Sequence, residues 1–258
     1  MMHGLSKNSL SILGFFLLLA SVLLPDIKLN ASLPSLQILD FLLPIIFVVI
    51  WIKRKTITPN YYSLIPLIFS FYILFSIFIS DNYRDLNPYF EVYKMLKVAL
   101  LIVFFSLINF DFIKNLIHFL FGLLVLINLL HFFNLLHINF LLEHYYNGGI
   151  HIQFFGLDSM GAPAVKRLVG TMGNPNINGL LFGMFAILYF PFKFKQKELI
   201  GFFIALLMTF LCQSRTSLVI IIGIFLFLLV FHRSKFKLQQ WLVLLFGTCT
   251  IYLLSWML

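Results

Sequence analysis

The fold is decided by residues 201–232, which read GFFIALLMTFLCQSRTSLVIIIGIFLFLLVFH. These 32 residues are apolar except for the short break CQSRTS in the middle. A single helix of this length would extend about 48 Å, whereas the hydrocarbon core of a membrane is about 30 Å thick. It would also place the basic cluster before it (Lys193, Lys195 and Lys197) and the one after it (Arg233, Lys235 and Lys237) on opposite sides of the membrane. The stretch therefore predicts two helices joined by a tight hairpin at residues 213–217.

The composition indicates that these helices lie in a membrane. Of the 258 residues, 61% are hydrophobic and 10% are charged, and the mean hydropathy is +1.01. A soluble domain carries about 25% charged residues, which it needs to cover a water-facing surface. We therefore expect an all-α, polytopic integral membrane protein with one membrane domain over residues 1–258. Cys212 and Cys249 lie in apolar runs without metal or disulfide spacing, so we interpret them as packing residues.

About nine transmembrane helices are predicted, since a spanning helix needs roughly 20 apolar residues. The predicted spans are residues 9–24, 36–52, 61–80, 93–109, 113–136, 177–192, 199–213, 216–231 and 239–258. If every run crosses, one side carries 11 Lys and Arg residues and the other five, with Lys94 and Lys97 near the outer end of the fourth span. Cytoplasmic loops are enriched in these residues, which predicts a cytoplasmic N-terminus and an outer C-terminus. The net charge of +9 then reflects topology and not nucleic-acid binding.

The one long connector, residues 141–176, is predicted on the outer side and ends in a polar turn. Residues 167–179 read RLVGTMGNPNING. Its glycines permit positive φ, and the Asn-Pro pair is typical of an N-cap followed by the first helical turn. A second interpretation is that the free N–H groups of this helix start face a phosphate or a sugar. The side chains of Asn174, Asn176 and Asn178 would then add amide donors.

The break at residues 213–217 offers a second polar site. Arg215 is either an interfacial arginine that extends to the lipid headgroups or a guanidinium that binds two phosphate oxygens at once. Ionisable residues at membrane depth are costly and tend to mark function. The break and the turn share the outer face and are joined by only two spans. We therefore expect the polar groups of the two segments to converge.

Together these two motifs resemble the O-antigen ligase and O-antigen polymerase superfamily. Its members show an Arg-x-x-Gly-x-x-Gly-Asn-Pro-Asn-like stretch, a pair of spans, and then Ser-Arg at the start of the next span. The chain has RLVGTMGNPNING and then CQSRTSLVIIIGIFLFLLV in the same order and on the same predicted side. The resemblance is strongest over residues 165–232.

The resemblance implies an enzyme of the bacterial inner membrane that moves a glycan from undecaprenyl pyrophosphate to a sugar hydroxyl. Such enzymes serve O-antigen, lipopolysaccharide or other surface polysaccharide assembly. The implied partners are a lipid-linked oligosaccharide, membrane lipids and other assembly proteins, and no metal or cofactor is implied. Arg215 matches the arginine that would hold the pyrophosphate, and Arg167 matches the weaker arginine ahead of the turn. Asn174, Asn176 and Ser214 complete the expected substrate-binding set.

One part of the family pattern has no match in the chain. Family members continue beyond the Ser-Arg span into a large outer loop that brings a second arginine and a histidine. The chain ends at Leu258 without them, so we expect this chain alone to be inactive as a transferase. His144 and His151, in the long outer connector, remain as candidate general bases, although no acidic partner or metal spacing supports them.

Two alternatives to a transferase stay open. The first is a polytopic membrane transporter, and the second is a membrane protein without catalysis. Transporters often have internal repeats and Gly- or Pro-broken spans with charges at the membrane midplane. Pro44 and Pro66 interrupt predicted spans, but the sequence has no paired repeat and we expect no buried charge.

Overall fold

A computed structural model gives the fold of the chain over most of its length. The residues that it describes are 7–24, 36–57, 61–80, 86–140, 167–192, 194–214, 216–217, 219, 221–223, 226–227 and 237–257. Within these ranges the chain is helical and has no β-strand, which confirms the all-α prediction.

Eight helices have defined bounds, and further helical residues lie between the seventh and the eighth, at 216–217, 219, 221–223 and 226–227. The eight are α1 (Lys7–Leu23), α2 (Ile38–Lys53), α3 (Leu64–Ile79), α4 (Asn87–Ser106), α5 (Phe110–Phe132), α6 (Pro175–Leu188), α7 (Gln196–Leu211) and α8 (Leu238–Met257). Eight of the predicted apolar runs coincide with these helices within a few residues, and in the remaining run, 216–231, the residues that the structure describes are helical. The largest difference is at α4, which begins six residues before the predicted span because Pro88 fits the first helical turn.

Two of the described helices are long and apolar enough to cross a membrane. They are Tyr61–Ile79, which joins a 3-10 turn to α3, and α5. Only 17% and 28% of the residues in their most apolar windows are buried. The apolar helices Lys7–Leu23, Pro175–Leu188 and Leu238–Leu254 are shorter.

The contacts divide the chain into two compact units, Met1–Phe119 and Leu120–Leu258, with the boundary inside α5. In the first unit α2 packs against α1 and α4, and α4 also packs against α3. Its core consists of buried aliphatic side chains with one phenylalanine: Leu10, Leu17, Leu39, Ile46, Val49 and Phe104. The backbone N–H of Asn109 donates to Ser11 Oγ at 2.9 Å, which fixes the end of α4 against α1.

The first unit also contains a largely buried ion pair, so the expectation of no buried charge is wrong. Lys97 Nζ of α4 lies 2.7 Å from Asp40 Oδ1 of α2, and the two side chains are 13% and 8% exposed. The Tyr93 hydroxyl donates to the same Asp40 oxygen at 2.8 Å. The other oxygen, Asp40 Oδ2, accepts from the backbone N–H of Gln37 at 2.7 Å and so caps α2. Asp40 is tolerated in an apolar helix because both of its oxygens have partners.

In the second unit, α7 packs between α6 and α8. The Phe121 ring of α5 contacts Phe185 and Tyr189 of α6, with centroids 4.9 and 4.8 Å apart. Phe210 of α7 meets Tyr252 of α8 edge to face at 5.5 Å. The first contacts hold the C-terminal half of α6 against α5, and the last holds the end of α7, next to the polar break, against α8.

Hydroxyl side chains within the helices bond to the backbone one turn earlier. The donors and acceptors are Ser70 to the Pro66 carbonyl, Thr209 to Ala205, Thr248 to Leu244 and Thr250 to Phe246, at 2.7–2.8 Å. Such bonds satisfy a hydroxyl without a partner from another helix.

Candidate functional site

The first polar motif forms a turn that starts α6, as the sequence predicts. Gly170 and Gly173 have φ of 59° and 63°, in the left-handed region that glycine enters without a steric penalty. Asn174 is the N-cap, and its side chain accepts from the backbone N–H of Asn176 at 2.8 Å. Pro175 occupies the first helical position, where its missing N–H costs nothing.

The second polar motif breaks the long apolar stretch at the predicted place. Helix α7 ends at Leu211, Gln213 adopts a φ of 47°, and the chain is helical again at residues 216–217. The Oγ of Ser214 accepts from the backbone N–H of Ser217 at 3.3 Å. This is an N-cap bond, because the acceptor side chain lies three residues before the donor. One continuous helix over residues 201–232 is therefore excluded.

The chain after the break returns alongside α6 and α7. Ile221 lines a small apolar cavity with Gly183 of α6 and with Phe202 and Leu206 of α7. Residues on both sides of the break thus lie near each other, as a hairpin requires.

Arg167 connects the two motifs. Its Nε donates to the carbonyl oxygen of Cys212 at 3.1 Å. Its Nη2 lies 3.2 Å from Asn176 Oδ1, in the first turn of α6, and 3.3 Å from the carbonyl oxygen of Gln213. The backbone N–H of Leu168 donates to the Leu211 carbonyl oxygen at 2.9 Å. These hydrogen bonds join the two motifs, as the sequence predicts.

Beneath the turn lies a buried amide pair that sequence reasoning missed. Asn178 Nδ2 donates to Asn128 Oδ1 of α5 at 2.8 Å, and both side chains are fully buried. Asn178 Nδ2 also lies 3.4 Å from the Leu168 carbonyl oxygen and 3.5 Å from the Cys212 sulfur. The amide of Asn178 therefore donates to groups in the protein interior. The second interpretation of the turn, in which this amide donates to a ligand, is wrong for Asn178. The signal that was available for Asn128 is an asparagine inside the apolar helix α5.

The predicted site residues are only partly within the described chain. Arg167, Asn174 and Asn176 lie together, and both asparagines are exposed. Ser214 belongs to the same cluster but is fully buried, and its hydroxyl serves as a helix cap. Arg215, His144 and His151 lie outside the described residues, as does most of the long outer connector.

The electrostatics of the cluster favour an anion. The guanidinium of Arg167 carries a positive charge, and the N-terminal end of α6 adds the positive end of a helix dipole. The carbonyl oxygens of Cys212 and Gln213 would oppose an anion, but each accepts from Arg167. Over the ranges given above, no three His, Cys, Asp or Glu side chains come close enough to hold a metal ion.

Comparison of the chain with protein-family models, with curated protein sequences and with solved structures finds no match. The family resemblance therefore rests on the two motifs alone and stays a prediction.

Proposed function

We propose that the chain is a multi-pass protein of a bacterial inner membrane that binds a polyprenyl-pyrophosphate-linked oligosaccharide. In this proposal it belongs to the O-antigen polymerase and ligase superfamily and serves glycan transfer in surface polysaccharide assembly. The cluster around Arg167 and Arg215 binds the pyrophosphate of the carrier. Other assembly proteins and membrane lipids are its partners.

The apolar surface of the helices supports a membrane location. A helix that is hydrophobic on all sides lies either in a protein core or in lipid. On α3, large apolar side chains are mostly exposed, for example Phe71 at 71%, Phe75 at 66% and Ile79 at 69%. Water would not solvate such a surface without a large free-energy cost, whereas hydrocarbon does. The proposal extends this property from α3 and α5 to the shorter apolar helices, which gives a multi-pass protein.

The observation that carries the proposed function is the bridge that Arg167 makes between the turn and the break. In sequence the two motifs are 46 residues apart, from Arg167 to Gln213, yet one guanidinium contacts both. This bridge brings the N-terminal end of α6 beside Gln213, which precedes Arg215 by two residues in the sequence. Pyrophosphate is a multiply charged anion, and two arginines with a helix N-terminus suit it better than either arginine alone.

The chemistry that we propose for the site is stabilisation of a leaving group. In glycan transfer an acceptor hydroxyl oxygen forms a bond to the anomeric carbon, and the bond from that carbon to the pyrophosphate oxygen breaks. The hydroxyl gives up its proton to a base, and the pyrophosphate leaves with the electron pair. Arginine charge beside the leaving oxygen stabilises the negative charge that develops there, most strongly where water is excluded.

Binding of farnesyl pyrophosphate to the purified protein in detergent tests this proposal. We expect farnesyl pyrophosphate to bind more tightly than farnesyl monophosphate, and farnesol to bind least. Arg215→Ala should weaken binding of farnesyl pyrophosphate by about 3 kcal/mol, or about a hundredfold, and Arg215→Lys should restore little because the planar fork is lost. Arg54→Ala is the matched control, since Arg54 is an exposed arginine on the predicted cytoplasmic side. Equal binding of farnesol and farnesyl pyrophosphate would refute the proposal.

A transporter remains the second candidate, and the Asp40–Lys97 pair is the observation that favours it. Charged residues within membrane helices often line a transport path. Leu101 of α4 lies one turn after Lys97 and packs against the core of the first unit. A transport path would let a water-soluble maleimide label Leu101→Cys in intact cells. We expect no labelling, because Asp40 and Lys97 neutralise each other and Leu101 is packed against the core of the first unit.

A further inference from the structure

The amide pair under the turn occupies a buried position where two apolar side chains would have a lower free-energy cost of burial. Asn128 lies in α5 and Asn178 in α6, and neither side chain is exposed. Burial of an amide in apolar surroundings is costly unless it is hydrogen-bonded, and two leucines would carry no such cost. Asn128 meets this requirement with Nδ2, which donates to the Leu124 carbonyl oxygen at 2.8 Å, and with Oδ1, which accepts from Asn178.

The pair fixes the path of the turn. Gly170 has a positive φ, and a Cβ atom at this position would collide with Asn128 Oδ1 and with Asn178 Nδ2. The backbone of the turn therefore passes directly over the two amides, and only glycine allows this approach. A buried polar bond of this kind has one preferred geometry, whereas apolar contacts tolerate sliding.

A chain of contacts leads from Asn128 to the proposed anion site. Asn128 holds Asn178, and Asn178 Nδ2 lies 3.4 Å from the carbonyl oxygen of Leu168. Leu168 follows Arg167 and is itself bonded through its N–H to Leu211 at the end of α7. Movement of the amide pair would thus move the backbone that carries Arg167.

We propose that Asn128 is a positioning residue, which acts through Asn178 to hold Arg167 and the first turn of α6 in the geometry that binds the anion. This inference rests on the proposed function, because it assigns Asn128 a role in that same site. Asn128 itself touches no ligand in this proposal.

Two readouts in the full chain test the inference, one with a ligand and one without. The first is the affinity for farnesyl pyrophosphate. The second is the alkylation rate of Cys212, which is fully buried and lies against Asn178, in a Cys249→Ser background that removes the exposed cysteine. Asn128→Leu should accelerate alkylation of Cys212 at least tenfold and weaken binding at least tenfold. Asn128→Asp with its carboxyl protonated, the form that burial favours, keeps an oxygen toward Asn178 and an O–H toward the Leu124 carbonyl oxygen, so it should restore most of both.

Asn115→Leu is the matched control, because Asn115 is an exposed asparagine on the same helix. It should leave both readouts unchanged. Asn128→Ser, whose hydroxyl is too short to reach Asn178, gives a second variant if Asn128→Leu does not fold, and the same two changes are expected. A folded Asn128→Leu or Asn128→Ser protein with the alkylation rate and affinity of the unmodified protein would overturn the inference.

The two proposals fail in different ways. If the unmodified protein does not bind farnesyl pyrophosphate, the proposed function is wrong. Faster Cys212 alkylation in the Asn128 variants would still show that Asn128 holds the turn in place. If the unmodified protein binds and the Asn128 variants bind equally well, only the positioning role is wrong.

Discussion

Arg167 donates through Nε to the carbonyl oxygen of Cys212, the residue that caps the C-terminal end of α7, at 3.1 Å. The last carbonyl groups of a helix lack partners within the helix, and a nearby arginine satisfies them and complements the dipole. One side chain therefore stabilises the end of α7 and also brings positive charge to the start of α6. Substitution of Arg167 is therefore expected to affect both the stability of the fold and the affinity for an anion.

Replacement of Arg167 should affect both roles. Arg167→Gln removes the charge and the bridge to Asn176 and Gln213, and we expect a loss of about 2 kcal/mol in the free energy of unfolding, since bonds to a charged donor are stronger than neutral ones. Arg167→Lys keeps the charge without the fork, so it should retain more affinity for farnesyl pyrophosphate than Arg167→Gln. Thermal unfolding in detergent and ligand titration measure the two effects. Unchanged stability in both variants would show that the bridge does not hold the two motifs together.

Two glycines of α6 make a matched pair for testing the packing of the hairpin. A Cβ at Gly179 would collide with Ser217 Oγ and lie 3.1 Å from Ser214 Cβ, whereas a Cβ at Gly183 meets nothing within 4 Å. Gly179→Ala should be destabilising by about 1–3 kcal/mol through overpacking. Gly183→Ala should be neutral or stabilising by up to about 1 kcal/mol, because alanine is the better helix former. Equal unfolding temperatures of the two variants would contradict the contact between α6 and the break.

The Asp40–Lys97 pair should respond differently to one substitution and to two. Lys97→Met leaves the Asp40 carboxylate buried without its cation, which should cost about 3–5 kcal/mol of stability. The double variant Asp40→Leu with Lys97→Met removes both charges and should be less destabilised than Lys97→Met alone, with a remaining loss from the Tyr93 hydroxyl and the Gln37 N–H, whose acceptor is removed. Lys94→Met is the control, because the Lys94–Glu91 pair is about half exposed and should contribute less than about 1 kcal/mol. If the effects of Asp40→Leu alone and Lys97→Met alone add up to that of the double variant, the two residues are not a coupled pair.

The proposed orientation in the membrane can be tested with alkaline phosphatase, which is active only outside the cytoplasm. Fusions after Gly161 and Leu258 should be active, and fusions after Lys55 and Lys195 should be inactive. Expression of each fusion, measured by immunoblot, is the control for protein level. Activity after Lys195 would mean that the hairpin arms do not both cross, and the two motifs would then lose their shared outer face.

The helix start at Asn174 and the break near Gln213 were predictable because both depend on local chemistry. An Asn-Pro pair favours an N-cap and a first turn whatever surrounds it, and 32 apolar residues exceed the thickness of a membrane. The convergence of the two motifs followed from topology, since only two helices separate them.

The contacts inside the site, and the ion pair of the first unit, were not predictable in the same way. Asn128 and Asn178 are 50 residues apart, and Asp40 and Lys97 are 57 apart, so their pairing depends on how the helices pack. Arg167 binds the carbonyl oxygens of Cys212 and Gln213, and every residue has such an oxygen, so no residue type marks the partner. An asparagine or a charge inside an apolar helix is a sequence signal that a partner exists, but it does not identify that partner.

The hydrogen bonds from helix hydroxyls to the backbone of the same helix change how readily these residues transfer from water into an apolar phase. Thr209 and Thr250 each donate to the carbonyl oxygen four residues earlier, as Ser70 does in α3. A threonine whose hydroxyl is already bonded presents mainly its methyl group to the surroundings, so its transfer into an oily phase resembles that of valine more than that of a free alcohol. Partition scales derived from free side chains therefore overstate the polarity of these helices. Thr250→Val should accordingly change the insertion efficiency of α8 very little, whereas Thr250→Asn, with an amide that the local backbone satisfies only in part, should reduce it.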